Sequence, residues 1–321
     1  MEQNDWRGKP YYSLDAYLKN TYGRKLYKIA IDAGFTCPNR DGTLGVNGCI
    51  FCSAGGSGDF AVKWSDYSPA AEQPTADNPC FIAYFQAYTN TYGPVPLLRA
   101  LYTEALDKPY VAGISIATRP DCISEEIAAM LNHLAEEYSD KFIWIELGLQ
   151  TMHDKTADFI RRGYPLSVYE QCLTLLQQKH IPVVTHIIIG LPSETKEHVL
   201  STIEYLNHIG TWGVKLQLLH VLQGTELAAL YEQKAYCPLS QDDYIDIVID
   251  CLEHLSPDVV VHRLTGDGPK NLLLAPLWSL NKRGVLNTLH HTMKLRRPPP
   301  GPQTEKRASM GGGGWFKPPR F

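Results

Sequence analysis

Nowhere in the 321 residues does an apolar run approach the ~20 needed to span a bilayer, so no membrane crossing is expected. The opening Met-Glu-Gln-Asn-Asp-Trp-Arg lacks the basic-then-apolar layout of a secretory leader, and a reducing, cytoplasmic setting is expected. Positive charge is scarce in the body. Residues 1–293 carry 23 Lys and Arg against 33 Asp and Glu, which argues against a broad nucleic-acid footprint. Residues 294–321 reverse the sign, with seven Lys and Arg against one Glu, so any RNA contact needs that tail or a local basic face. Five cysteines, Cys80, Cys122, Cys172, Cys237 and Cys251, stand without short paired spacing, so a second metal centre is not expected. Only Cys122, beside Asp121, is placed to face a site. What is left is a composition 44% hydrophobic and 20% charged, long enough for one large α/β domain or two smaller ones.

The remaining three cysteines are concentrated. Cys37, Cys49 and Cys52 follow C-x11-C-x2-C directly after the apolar run Leu26 to Ala33, in a loop holding Pro38, Asn39, Gly42, Gly45, Asn47 and Gly48. Such residues let backbone turn tightly around something small. A structural tetrahedral site closes with four protein ligands, whereas a centre that does chemistry keeps a position free. Three thiolates from one loop suit a four-iron cluster with one iron left open. A zinc knuckle completed by Cys80, a disulfide, or three merely buried thiols are the competing readings of this spacing.

Around this loop the chain alternates. Residues 1–25 interleave Tyr11, Tyr12, Tyr17 and Tyr22 with Lys19, Arg24 and Lys25, a pattern that suits either stacking on nucleic acid or packing on a barrel. Pro69 to Pro79 reads as connection. Strands are expected at Leu26–Ala33, Cys80–Tyr88, Val111–Ala117, Phe142–Leu149, Val183–Ile189 and Val214–Val221. Helices are expected between them, at Val95–Leu106, after Ser124, at Ser167–His180 and from Val199 to Ile209. Beyond the sixth strand come a helix capped by Ser240, a further strand at Asp258–Leu264 and a last helix at Pro276–Met293. The alternation predicts a parallel sheet with outer helices, whose chemistry lies at the carboxyl ends of the strands. The expected division is an N-terminal segment 1–25, a core barrel 26–235, a C-terminal α/β extension 236–295 and a disordered basic Pro/Gly-rich tail 296–321.

The strand ends carry polar residues: Gln86 to Asn90, Thr118-Arg119-Pro120-Asp121, Glu146 to Thr151, His186 to Thr195, and Gln217 to His220. Arg119 with Asp121 reads equally as a loop ion pair, and His186 and His220 as core histidines. Glu146 is harder to dismiss, because a carboxylate inside an apolar strand is costly unless paired or used.

In this order the cysteine loop, with Phe51 before its last cysteine, Tyr84–Tyr92, Thr118–Asp121, Glu146–Thr151 and His186–Thr195 resemble the YtqA/YhcC-type radical S-adenosylmethionine (SAM) proteins, relatives of the Elongator catalytic subunit. The resemblance covers roughly residues 10–290. The eleven-residue first gap departs from the commoner C-x3-C-x2-C, though long gaps occur in the Elongator branch. The resemblance implies a partial (β/α)6 TIM-like barrel with a C-terminal helical extension. It implies a [4Fe–4S] cluster on Cys37, Cys49 and Cys52, whose open iron takes the amino and carboxylate groups of SAM. One electron then releases a 5′-deoxyadenosyl radical. Gln86 to Asn90 stands where other members carry Gly-Gly-Glu and would meet the SAM amino group. Glu146 or Gln150 would hold the ribose hydroxyls, and Gly190 would let adenine approach. Arg119 and His186 are the candidates for a catalytic part beyond the radical.

By the same resemblance the substrate is expected to be tRNA, with the C5 side chain of the wobble uridine, such as a carboxymethylaminomethyl group, remodelled. An electron donor such as flavodoxin or ferredoxin is implied. Two alternatives stand beside it: a radical SAM enzyme acting on a small metabolite or peptide, and a non-enzymatic zinc-stabilised binding module.

Overall fold

The computed structural model describes residues 6–66, 81–266 and 268–296. Eight strands form one parallel sheet: β1 (Tyr27–Asp32), β2 (Val62–Lys63), β3 (Phe81–Phe85), β4 (Val111–Thr118), β5 (Phe142–Gln150), β6 (Val183–Ile189), β7 (Gly213–Leu218) and, after the short β8 (Val221–Leu222), β9 (Val260–Arg263). Their order is β2-β1-β3-β4-β5-β6-β7-β9, and β10 (Leu273–Ala275) pairs antiparallel with β8. β2 and β9 remain as edges, so the barrel is partial. The six expected strands are its body, and the expected further strand joins as β9 beside β7.

Around it run α1 (Leu14–Tyr22), α2 (Val95–Leu106), α3 (Glu125–Glu137), α4 (Asp154–Phe159), α5 (Leu166–Gln178), α6 (Lys196–Ile209), α7 (Glu226–Glu232), α8 (Gln241–His254) and α9 (Lys282–Arg296). Among the described residues, no helix is long and apolar enough to cross a membrane. The sequence explains the packing. All eight residues of β4 are buried, as a parallel strand covered on both faces must be. A Cβ at Gly113 would sit 2.4 Å from the carbonyl oxygen of Phe142, its partner in β5, so only glycine permits that approach. Ser124 caps α3 by accepting from the Ile127 amide, and Ile127, Met130, Leu131 and Leu134 bury the face that follows.

Side chains pointing into the barrel form layers. The lowest is apolar: Leu26, Ile82, Ala112, Trp144, Val184 and Val260, against which Ala16, Tyr17 and Leu18 of α1 pack. Trp144 stacks on Phe142, with ring centres 4.4 Å apart, and meets Trp212 at 5.3 Å. The N-terminal tyrosines are therefore structural: Tyr11, Tyr12 and Tyr17 are buried, and the Tyr12 carbonyl accepts from the Val261 amide at 2.8 Å. Above this plug lies a charged layer, Lys28, Tyr84, Ser115, Glu146, His186 and Lys215, and above that the open end.

Three expectations shift. The last helix begins at Lys282 rather than Pro276, because Leu277–Leu280 forms a 3-10 turn and the Asn281 side chain caps the true helix through the Gly284 amide. That helix runs to Arg296, whose guanidinium pairs with Asp246 and Asp250 on α8. The short helices α4 and α7 were not expected, having too few residues to show a period. The Pro69–Pro79 connection, Cys80 and the tail beyond Arg296 lie outside the described residues.

Candidate functional site

The cysteine loop leaves β1 and turns back on itself through backbone bonds. The Cys37 carbonyl accepts from the amides of Arg40 and Asp41, and the Cys49 carbonyl from that of Cys52. Asn39 pins the loop to the end of α4: its Nδ2 donates to the carbonyls of Arg161 (2.8 Å) and Arg162 (3.2 Å) and lies 3.7 Å from Cys49 Sγ. Gly163, with φ +87°, makes this possible, since a Cβ there would lie 2.7 Å from Asn39 Oδ1. Arg40 closes the other side by donating to the carbonyls of Cys52 (2.9 Å) and Ser53 (2.5 Å). The loop is thus held by backbone and by side chains other than its thiols.

All three cysteines line one cavity of 890 Å³, within the range of cofactor pockets. It opens at the carboxyl ends of the strands and reaches down to the charged layer. Among the described residues, no three His, Cys, Asp or Glu side chains gather tightly enough to hold one metal ion. Three thiols on the wall of one cavity suit a cluster in which each thiolate binds its own iron.

The other expected residues divide. Gln86 lines the cavity and donates to the Ser57 carbonyl at 2.6 Å, and Gln150, with φ +62°, lines it with a buried Oε1 that has no partner among the described residues. Asn90 is not brought there. It is fully buried, with its Nδ2 spent on the carbonyls of Phe85 and Ala117, because the β3–α2 turn needs those acceptors filled. Gly190 keeps φ +92° but lies under Leu239 and Tyr236, whose hydroxyl donates to its carbonyl at 2.8 Å. Cys122 lines a separate small hollow with Thr91 and Tyr92. Arg119 faces the cavity but is spent as a clamp: two bonds to Asp121, one to the Arg162 carbonyl, and its guanidinium stacked 4.9 Å over Tyr164.

Glu146 reaches the cavity floor already saturated. Oε1 accepts from Lys28 (2.6 Å) and Ser115 (2.7 Å), and Oε2 from His186 (2.8 Å) and Lys215. It has no lone pair to spare for a ribose hydroxyl. Burial alone would raise its carboxyl; Lys215 and Lys28 outweigh that and hold it well below the usual range. The ionised Glu146 carboxylate can only accept, so His186 donates to it through Nε2, and His186 Nδ1 lies 3.2 Å from the Gln217 side-chain amide. The residues missed in the sequence are Lys28, Lys215, Asn39 and Arg162. The two lysines had a signal: each interrupts an apolar strand on the same side as Ala30 or Gln217.

Burial, helped by Lys215 and opposed by Glu146, lowers the His186 imidazole to about 4. The unfolded chain takes up that proton near pH ~6.5. Between these values the unfolded state binds a proton the native state refuses, so stability rises with pH across the window and is lost on acidification. Glu146, depressed in the fold, loses stability in the same direction at lower pH. Urea titrations from pH 6.5 down to 4 are expected to show a loss on the order of 3 kcal/mol that His186→Asn flattens. Stability constant across this window would mean that His186 is protonated in the fold.

Two family profiles match the chain: the Radical SAM superfamily over residues 42–206 and the Radical_SAM C-terminal domain over residues 211–295. The chain is 41% identical over 296 residues to the uncharacterized protein YtqA of Bacillus subtilis, covering 90% of this chain and 91% of that one. It is 36% identical over 270 residues to protein YhcC of Escherichia coli K12, covering 83% and 86%. Elongator complex protein 3 of Schizosaccharomyces pombe is 24% identical over 330 residues, covering 84% of this chain and 59% of its own. Among solved structures, the archaeal Elp3 of Methanocaldococcus infernus, with N-terminal residues deleted, shares the fold at a TM-score of 0.57 and 15% identity, over 67% of this chain and 54% of that one. With a parallel partial barrel, a cavity at its strand ends and a three-cysteine wall, the chain belongs to the radical SAM superfamily, with a [4Fe–4S] cluster and SAM as its cofactors.

Proposed function

We propose that Cys37, Cys49 and Cys52 ligate the cluster and that the cavity beneath them holds SAM and the C5 side chain of a tRNA wobble uridine. The observation that carries the cofactor assignment is the meeting of all three thiols on one cavity at the strand ends. When bound, the cluster and SAM together supply a 5′-deoxyadenosyl radical that abstracts hydrogen. The chain's task is to orient and exclude. Gln86 and Gln150 present amides to the cavity wall, Arg40 and Asn39 fix the loop, and the aromatic plug bars water from the strands' amino ends. The tRNA assignment rests on motifs similar in kind to those of Elongator-type proteins, an argument by analogy. A flavodoxin or ferredoxin is the proposed electron donor.

Burial of Tyr11, Tyr12 and Tyr17 favours the second reading, a small metabolite or peptide, because it removes the N-terminal aromatics from any RNA surface. Anaerobic protein with SAM, dithionite and bulk tRNA whose wobble uridines carry a carboxymethylaminomethyl group separates the two. The expected result is 5′-deoxyadenosine together with a changed wobble nucleoside in the digested tRNA, and binding whose log affinity falls linearly with log salt. 5′-Deoxyadenosine with no altered nucleoside would move the substrate to the smaller class.

A further inference from the structure

We infer that the charged floor of the cavity is a receptor for a carboxylate carried at the tip of the substrate. The inference rests on the reading of this cavity as the substrate chamber.

The floor has more positive than negative charge. Lys28 and Lys215 share one carboxylate, Glu146, and His186 beside them is neutral. Burial pulls both ammonium groups down, and Glu146 opposes it. A buried cation without its own anion is costly, and the aromatic plug already seals the barrel below, so closing the fold does not require it. Donors are also in surplus. An ammonium has three. Lys28 spends one, on Glu146, and keeps 23% of its side chain exposed where it lines the cavity; Lys215 spends two, on Glu146 and Tyr84. Arg263 lines the same cavity.

Depth and charge define the guest. Lys28 lies four residues before the end of β1 and Lys215 three before the end of β7, so their backbones sit roughly 10–13 Å down the strands from the rim at ~3.3 Å per residue. A nucleic-acid phosphate backbone does not reach that depth; the end of an extended side arm does. A guest that brings an anionic group supplies the counter-charge that Lys28 and Lys215, sharing Glu146, lack, and a carboxylate is the compact anion that the end of a side arm can carry to that depth. Under the wobble-uridine reading, the acid of a carboxymethylaminomethyl arm is such a group. SAM also brings a carboxylate, which the test must separate.

Calorimetry on the anaerobically reconstituted full chain, with and without saturating SAM, would compare 5-carboxymethylaminomethyluridine with its methyl ester. The acid is expected to bind about tenfold or more tightly than the ester, SAM present or absent, as a charge-assisted bond predicts. Lys28→Met should abolish that preference, and Lys28→Arg should keep most of it. Lys215→Met leaves Glu146 with fewer partners, so Lys215→Met is combined with Glu146→Gln; this pair removes one charge of each sign and should preserve the preference. Equal binding of acid and ester, binding of neither, or a preference that survives Lys28→Met would overturn the inference. A preference lost when SAM is bound would assign the floor to SAM and overturn it equally. Nucleoside analysis of treated tRNA decides the tRNA reading independently: unaltered tRNA beside a retained acid preference removes that reading and leaves the receptor.

Discussion

Cys49→Ala is expected to strip the protein of its iron. Cys49 is the thiol that the anchored part of the loop presents, with Asn39 Nδ2 at 3.7 Å and the Arg161 carbonyl at 3.5 Å. The loop itself keeps its shape without the sulfur, because Asn39, Arg40 and Arg161 hold it by bonds that do not involve the thiols. The variant should therefore fold with the same circular dichroism and still fail to retain the cluster. Iron and sulfide should fall from about four per chain to well under one, and 5′-deoxyadenosine should become undetectable. Full iron retention in the variant would remove Cys49 from the ligand set.

Arg162→Met is expected to be the most damaging single change to the fold near the site. Arg162 is 2% exposed and holds three carbonyls, those of Leu149 (2.9 Å), Thr151 (2.6 Å) and Tyr164 (3.0 Å), together with Asp154. Methionine fills most of the volume but orphans all three acceptors, at a cost of about 3–5 kcal/mol. In a chain of this size that lowers Tm by roughly 10 °C. Because Asn39 rests on the carbonyls of residues 161 and 162, cluster uptake should fall as well. Arg99→Met is the control. Its guanidinium reaches Glu137 at 2.6 Å with both groups well exposed, worth under about 1 kcal/mol. Equal losses in the two variants would show that burial of Arg162 is not what matters.

The apolar runs of β3 to β7 and the cysteine loop were legible because each obeys a local rule: strand period, helix spacing, or thiols among glycines. Glu146 was also legible as an anomaly, but the partners that saturate it were not. Its partners come from β1, β4, β6 and β7, and only the stagger of the strands brings Lys28 and Lys215 to the same height. Asn90 looked like a strand-end ligand because a strand reads the same whether its next residue turns out or in; the acceptors that draw it inward belong to β3 and β4. Arg162 sits after a six-residue helix with no period to announce it.

The plug of Tyr12, Tyr17 and Trp144 beneath the charged layer makes the chamber a cul-de-sac. Whatever reaches Lys28 and Lys215 enters and leaves such a chamber by the one mouth, at the carboxyl ends of the strands. A polymer cannot be threaded through it and must instead swing a single residue out of its stack and offer that residue tip first.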